Sequence, residues 1–298
     1  MQTRTSELAR GRIAGGLLLL ITSATISRAD EEPKPRPLIG QQVQGLRLAL
    51  DDPMVQLEAL KWCAATRAGQ EELFQPIRKL SQHSNIRIRQ AAIPAVAVFK
   101  ERAVEVLIPL LGQSETRLAA AEALGRIGEK AEMAVEQLAA ILADPQADIA
   151  TRRAAVEALG RIGEKAGGAV GPLIAVLTDP QVDDFTSQEV TKALERIGAK
   201  AVDPLITALK DPRINDVARK RVAEELGRMG AKAVDPLTTA LKDPKANDPS
   251  RRAVIAALGR IGEKAKGAVG PLVDIFSDPS TDYPTRREVA GALEQIGG

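Results

Sequence analysis

Histidine and cysteine occur once each in 298 residues, as His83 and Cys63, and aromatic side chains make up only 2% of the chain. One imidazole and one thiol exclude a clustered zinc site, and they leave a hydrolytic triad without a convincing base. A lone cysteine forms no internal disulfide, and Cys63 reads as a small buried apolar side chain. With one Trp, one Tyr and four Phe, no large aromatic pocket is expected, and platforms for stacking nucleic-acid bases are scarce. A phosphate-cradling glycine loop is also missing, because the Gly-x-x-Gly spacings present here close helices.

What the chain does have is aliphatic. Hydrophobic residues make up 44% of it, dominated by Ala, Leu, Ile and Val, the composition of closely packed helices. The formal charge is +2, but Arg4, Arg10, Arg12 and Arg28 lie in the first 29 residues, opposed there only by Glu7. Without that segment, 37 basic residues face 38 acidic ones, so the remainder is nearly neutral and nucleic acid is disfavoured as a partner. The segment itself has a basic start, an apolar run from Ile13 to Ile26, and small Ser27 and Ala29 where a signal peptidase reads. The run is short of the roughly 20 residues of a transmembrane span. Residues 1–29 are therefore read as a signal peptide, with an uncleaved N-terminal anchor as the alternative; cleavage leaves no membrane span. The charged, proline-rich 30–38 follows as an extended linker, and 39–298 forms the folded part.

That part repeats. "ALGRIGEKA" begins at Ala123, Ala158 and Ala257, with looser copies at Ala193, Glu225 and Ala292, and "AVxxL" segments begin at Ala103, Ala134, Ala169, Ala201, Ala233 and Ala268. The leucine of the first motif recurs at 124, 159, 194, 226, 258 and 293, so the period is 35 or 32 residues. Such a period belongs to stacked helical hairpins. In "TRRAAVEALGRIG", Ala155, Leu159 and Ile162 share a face with Ala158 beside them, while Arg153 and Glu157 point away. Glycines at 128, 163, 198, 230, 262 and 297 are expected as left-handed helix caps. Asp-Pro at 144, 179, 211, 243 and 278 ends each first helix. Prolines 172, 204, 236 and 271 fit a first helical turn, or else a mild kink. With worn copies from Leu46 and Gln75, the fold class is all-α: a right-handed α-solenoid of about eight antiparallel helix pairs with atypical ends.

The alternation "AVxPLIxxLxDP…RxxAAxALGRIG" resembles HEAT repeats, and more narrowly the short HEAT-like class first associated with phycobilisome lyases. The resemblance covers about residues 40 to 297. It implies a fold rather than an activity, because such repeats serve scaffolds, transport receptors, lyase-like chaperones and some enzymes. It also implies a ladder of inter-helix Asp and second-helix Arg: Asp144 with Arg152, Asp211 with Arg219, Asp243 with Arg251, Asp278 with Arg286. Ser187 breaks it after Asp179, so the fifth pair is expected to pack or curve differently. The single histidine excludes the iron-holding HEAT-like enzymes. A lyase-like, cofactor-handling role remains the alternative, opposed by the scarce aromatics, the single Cys and the export signal.

Arg126, Arg161, Arg196, Arg228 and Arg260 form one column along the second helices. It reads as a cationic ladder on a concave face, for an acidic partner, or as helix stabilisation, since Glu122, Glu157 and Glu224 precede three of the arginines by four residues. Lys192 and Ala256 deprive Arg196 and Arg260 of that partner, which centres any binding there. The candidate partner-binding residues are Arg161, Arg196, Arg228, Arg260, Glu157, Lys192 and Glu224, facing a protein or peptide; no catalytic, cofactor or metal site is expected. The column Gly125, Gly160, Gly227 and Gly259, interrupted by Glu195 and Glu294, is attributed to nearness to the helix end. Asp184, Asp216 and Asp248 are expected as N-caps, with Pro249 opening its helix. That role is preferred to calcium binding for the loop that also holds Asp179 and Asp183. Trp62 and Tyr283 are expected as packing or rim residues.

Overall fold

The computed structural model describes residues 40–243 and 248–297; the expected signal peptide and linker lie outside them. Among the described residues the secondary structure is helical, without strands, and the expected pairs are found. The chain divides into two compact units, one ending at Ala134 and one beginning at Val135. The first holds α1 (Gly40–Asp51), α2 (Gln56–Thr66), α3 (Glu71–Leu80), α4 (Ile86–Ala97), α5 (Glu101–Leu107) and α6 (Ser114–Ile127). The second holds α7 (Val135–Ala143), α8 (Ile149–Ile162), α9 (Val170–Thr178), α10 (Asp184–Ile197), α11 (Val202–Lys210), α12 (Asp216–Met229), α13 (Ala231–Leu241), α14 (Asp248–Ile261), α15 (Val269–Ser277) and α16 (Tyr283–Gly297). Within each unit, second helices stack on second helices and first on first, as in an all-α solenoid.

The core follows the apolar periodicity. Leu124, Leu159, Leu194, Leu226 and Leu258 are wholly buried, as are Ala155 and Ile162. Cys63 is buried too, and burial pushes its thiol up to about 12, so it packs as an apolar side chain. Trp62 is half-buried, whereas Tyr283 stands out at the rim.

Each second helix starts and stops by local chemistry. Asp148, Asp183, Asn215 and Asp282 accept hydrogen bonds from the amides of Thr151, Thr186, Ala218 and Thr285 at 2.8–3.0 Å. The caps thus stand one residue before those expected: Asp184 and Asp216 are already the first helical residues, and α14 opens at Asp248 rather than Pro249. At the other end Gly163 has φ 69° and ψ −137°, as do its counterparts within a few degrees. That is a conformation open to glycine but not the left-handed helical cap expected. The chain passes instead straight into a 3₁₀ segment such as Gly163–Ala169. Gly297 has no positive φ and ends α16. Pro172 and Pro204 fall in first turns, as expected, while Pro236 sits inside α13.

The turn between the two helices of a pair is closed by side chains. Asp144, Asp179, Asp211 and Asp278 each accept from the amide two residues on at 2.8–2.9 Å, and Asp52 does the same for Met54. The expected ladder takes a different form, because its arginines donate to backbone carbonyls of their own turn. Arg152 reaches the Asp144 carbonyl and Arg286 those of Asp278 and Pro279, all at 3.0 Å; Arg219 reaches Leu209 and Ile214. Arg89 and Arg117 do likewise in the first unit. These carbonyls have no helical partner, and a guanidinium offers several donors in one plane. Where Ser187 breaks the series, Arg221 of the next pair donates to the Asp179 carbonyl at 3.4 Å.

Candidate partner-binding face

The candidate residues lie on three second helices of the second unit and on α14, each projecting near a helix's C-terminal half. Glu157 and Arg161 pair along α8 at 2.6 Å, four residues apart, as the sequence suggested. Arg126 pairs similarly with Glu122 in the first unit, at 3.7 Å. The other expected pairs change partners. Glu224 does not serve Arg228; it reaches across to Arg260 of α14 at 2.9 Å, so Arg260 has the partner that Ala256 denied it. Arg228 turns to Glu225 at 3.5 Å. Local spacing identified the in-helix pair, but the cross-helix partner depends on how α12 and α14 pack, which no short window encodes.

Arg196 stands apart. It is exposed and makes no hydrogen bond or ion pair among the described residues, while the neighbouring Lys192 is held by Glu189 at 2.7 Å. The face therefore presents one uncommitted guanidinium between two compensated ones. Exposed ion pairs contribute about 0–1 kcal/mol each, so a partner carboxylate could exchange into them at little loss, but Arg196 has nothing to lose.

Around the N-terminal ends of the same helices, Asp183 is held well below the usual carboxylate range, to about 2, by hydrogen bonds from Thr186, with the Arg153 guanidinium adding to it. Arg153 bridges to Asp183 at 2.8 Å and lies 4.5 Å over the exposed Phe185 ring, and Arg252 approaches Asp282 at 3.5 Å. These contacts join α8 to α10 and α14 to α16 through the cap of the following helix. Arg153 and Arg252 share one repeat position, and that recurrence was the available signal. Asp183 is thus occupied as a cap, in line with the role preferred for this loop.

The residue that sequence reasoning passed over is Glu225. It is completely buried, and burial, with the Glu195 carboxylate after it, pushes it up to about 7 against the pull of Arg228 and Thr191. Its position holds alanine at 123, 158, 193, 257 and 292. The signal was visible in "EELGRMG" beside "EALGRIG", as a charge in a column of alanines.

The glycine column also needs correction. A Cβ on Gly160 would stand 3.0 Å from Ala193 Cα, and one on Gly259 would stand 3.1 Å from Ala292 Cα. Close approach of neighbouring helices, rather than nearness to the helix end, is what demands glycine.

Residues 135–220 match the family described as HEAT repeats, and residues 116–144 match the PBS lyase HEAT-like repeat. No curated protein sequence matches the chain. Among solved structures it is similar to the karyopherin Kap121p bound to the extreme C-terminus of the protein phosphatase Cdc14p: 11% identity, 89% of this chain and 34% of that one covered, TM-score 0.56. Kap121p bound to Nup53p gives 12%, 89%, 34% and 0.57. An engineered protein is 22% identical over 87% of this chain and 79% of its own, at TM-score 0.47. The chain spans about a third of the length of the Kap121p chains, and at such identities the likeness concerns the fold alone. No helix among the described residues is long and apolar enough to cross a membrane. Over residues 116–220, then, the chain carries repeats of the HEAT type.

Proposed function

We propose that the chain is an exported, non-catalytic scaffold that binds a protein or peptide partner through the second-helix face of its second unit, centred on Arg196. The observation that carries this reading is the exposed Arg196, unpaired among the described residues, in a column whose other members are engaged. A partner carboxylate gains a charge-assisted hydrogen bond there without displacing an existing one. The Kap121p structures support the reading to the extent that a fold of this kind holds a protein C-terminus in one of them. The near-neutral charge after residue 29 and the scarcity of aromatics favour a protein over nucleic acid.

Affinity capture from the native exported fraction, with Arg196→Glu and the combined charge reversal at 161, 196 and 228 run beside the parent, tests it. A partner held by the parent should be lost by both variants while circular dichroism is unchanged. Equal retention by all three rules out this face.

A further inference from the structure

At three junctions of the second unit a glycine of one second helix lies against the next, Gly227 against Arg260 Cβ, and at the fourth the glycine is replaced. Glycine of one helix meets alanine of the next where Gly160 faces Ala193 and Gly259 faces Ala292. In the same register Glu195 of α10 takes the glycine's place and Glu225 of α12 takes the alanine's. Two carboxylates thus stand where two of the smallest residues interlock elsewhere. Helix α10 packs on α12 far more loosely than α8 on α10, α12 on α14 or α14 on α16. Linker length is not the cause. The link before α11 is short, Gly198–Ala201, but α13 follows Gly230 directly and α12 still packs closely on α14.

Glu225 sits inside this junction with Oε1 unpartnered and Oε2 receiving a long, 3.5 Å hydrogen bond from Arg228. On α10 it faces Glu195 and Thr191, and on its own helix Arg228. Helix α9, also packed on α12, carries no charged residue. From α14, Arg260 is committed to Glu224; from α11, Lys210 is committed to Asp243; Asp203 of α11 and Lys232 and Asp235 of α13 make no bond to the carboxyl. Among the described residues, the only cation on Glu225 is therefore a long contact on one oxygen, while a like charge faces it.

We infer that the junction between α10 and α12 is a hinge closed by a proton: with Glu225 neutral the two helices stay together, and with Glu225 ionised they part. An ionised carboxylate buried without full compensation is unfavourable, and a second carboxylate adds repulsion. Opening admits water to Glu225 and relieves both. Because the group titrates at about 7, the hinge moves across neutral pH. The inference stands on the junction alone and requires no partner.

Spin labels at Gln188→Cys and Lys220→Cys in the full chain, both at exposed positions and with Cys63 buried, report the distance across the junction. It should lengthen between pH 5 and 8 with a midpoint near 7. In Glu225→Gln it should stay at the short value throughout. In Glu195→Gln the transition should remain but its midpoint should fall by about one pH unit. The pair Glu195→Gly with Glu225→Ala, which restores the contact that joins α8 to α10 and α14 to α16, should be short and flat. A parent distance unchanged over this range overturns the proposal, and so does opening that persists in Glu225→Gln. If Glu225→Gln does not fold, an unmoved midpoint in Glu195→Gln overturns it equally.

Discussion

A carboxylate among alanines is a stability term that depends on pH. Glu225 has an ordinary value of 4.5 and is raised to about 7 in the folded chain. The folded state therefore holds its proton more tightly than the unfolded one, and this contribution is fully present below about pH 4.5 and lost as pH rises through 7. The full difference is about 3 kcal/mol, reduced by whatever the hinge recovers on opening. Glu225→Gln should raise the denaturant midpoint at pH 8 and leave it nearly unchanged at pH 4.5; equal effects at both values would show that the carboxyl's charge is irrelevant. The identity of this residue was legible in the sequence. Its burial opposite Glu195 was not, because that depends on which residue of the preceding helix lies across from it.

Among the helices, the small-residue contact sets the spacing. Gly160→Ala would gain up to about 1 kcal/mol in helix propensity, but its Cβ meets backbone of α10 at 3.0 Å, and relieving such overlap costs about 1–3 kcal/mol. A net loss of stability is expected, measurable by urea unfolding. Gly291→Ala, inside α16 with nothing within 4 Å of the new Cβ, should be neutral or stabilising. The same two substitutions having the same sign would mean that α8 and α10 can move apart freely. Helix identity and most helix limits were readable from the 3.6-residue apolar rhythm and the Gly and Asp-Pro punctuation. The caps were displaced by one residue because Asp183 and Asp184 are adjacent, and only the Thr186 amide decides between them. The exchange of Glu224 from Arg228 to Arg260 was likewise beyond a rule built on spacing within one helix.

For the molecule as a whole, the basic start, apolar run and Ser27–Ala29 site predict a mature chain beginning at Asp30. N-terminal sequencing of protein recovered outside the cytoplasm should read Asp-Glu-Glu-Pro; an intact Met1 there would favour the retained anchor. The rest of the chain is a series of near-copies, and the copies differ in length in one place. Second helices α6, α8, α10, α12 and α14 are all 14 residues long. The segment after them is seven residues at Gly163–Ala169, two 3₁₀ turns meeting in a kink at Ala166, and four at Gly198–Ala201, a difference of three residues that matches the repeat periods of 35 and 32. Three residues make one 3₁₀ turn, so losing them shortens the link without rotating the helix that follows. The chain thus has a natural quantum of length variation. Inserting three residues within Gly198–Ala201 should leave α11 facing its core and far-ultraviolet dichroism and unfolding cooperative, whereas inserting one or two turns α11 by about a third or two thirds of a revolution and exposes Leu205 and Leu209 to water.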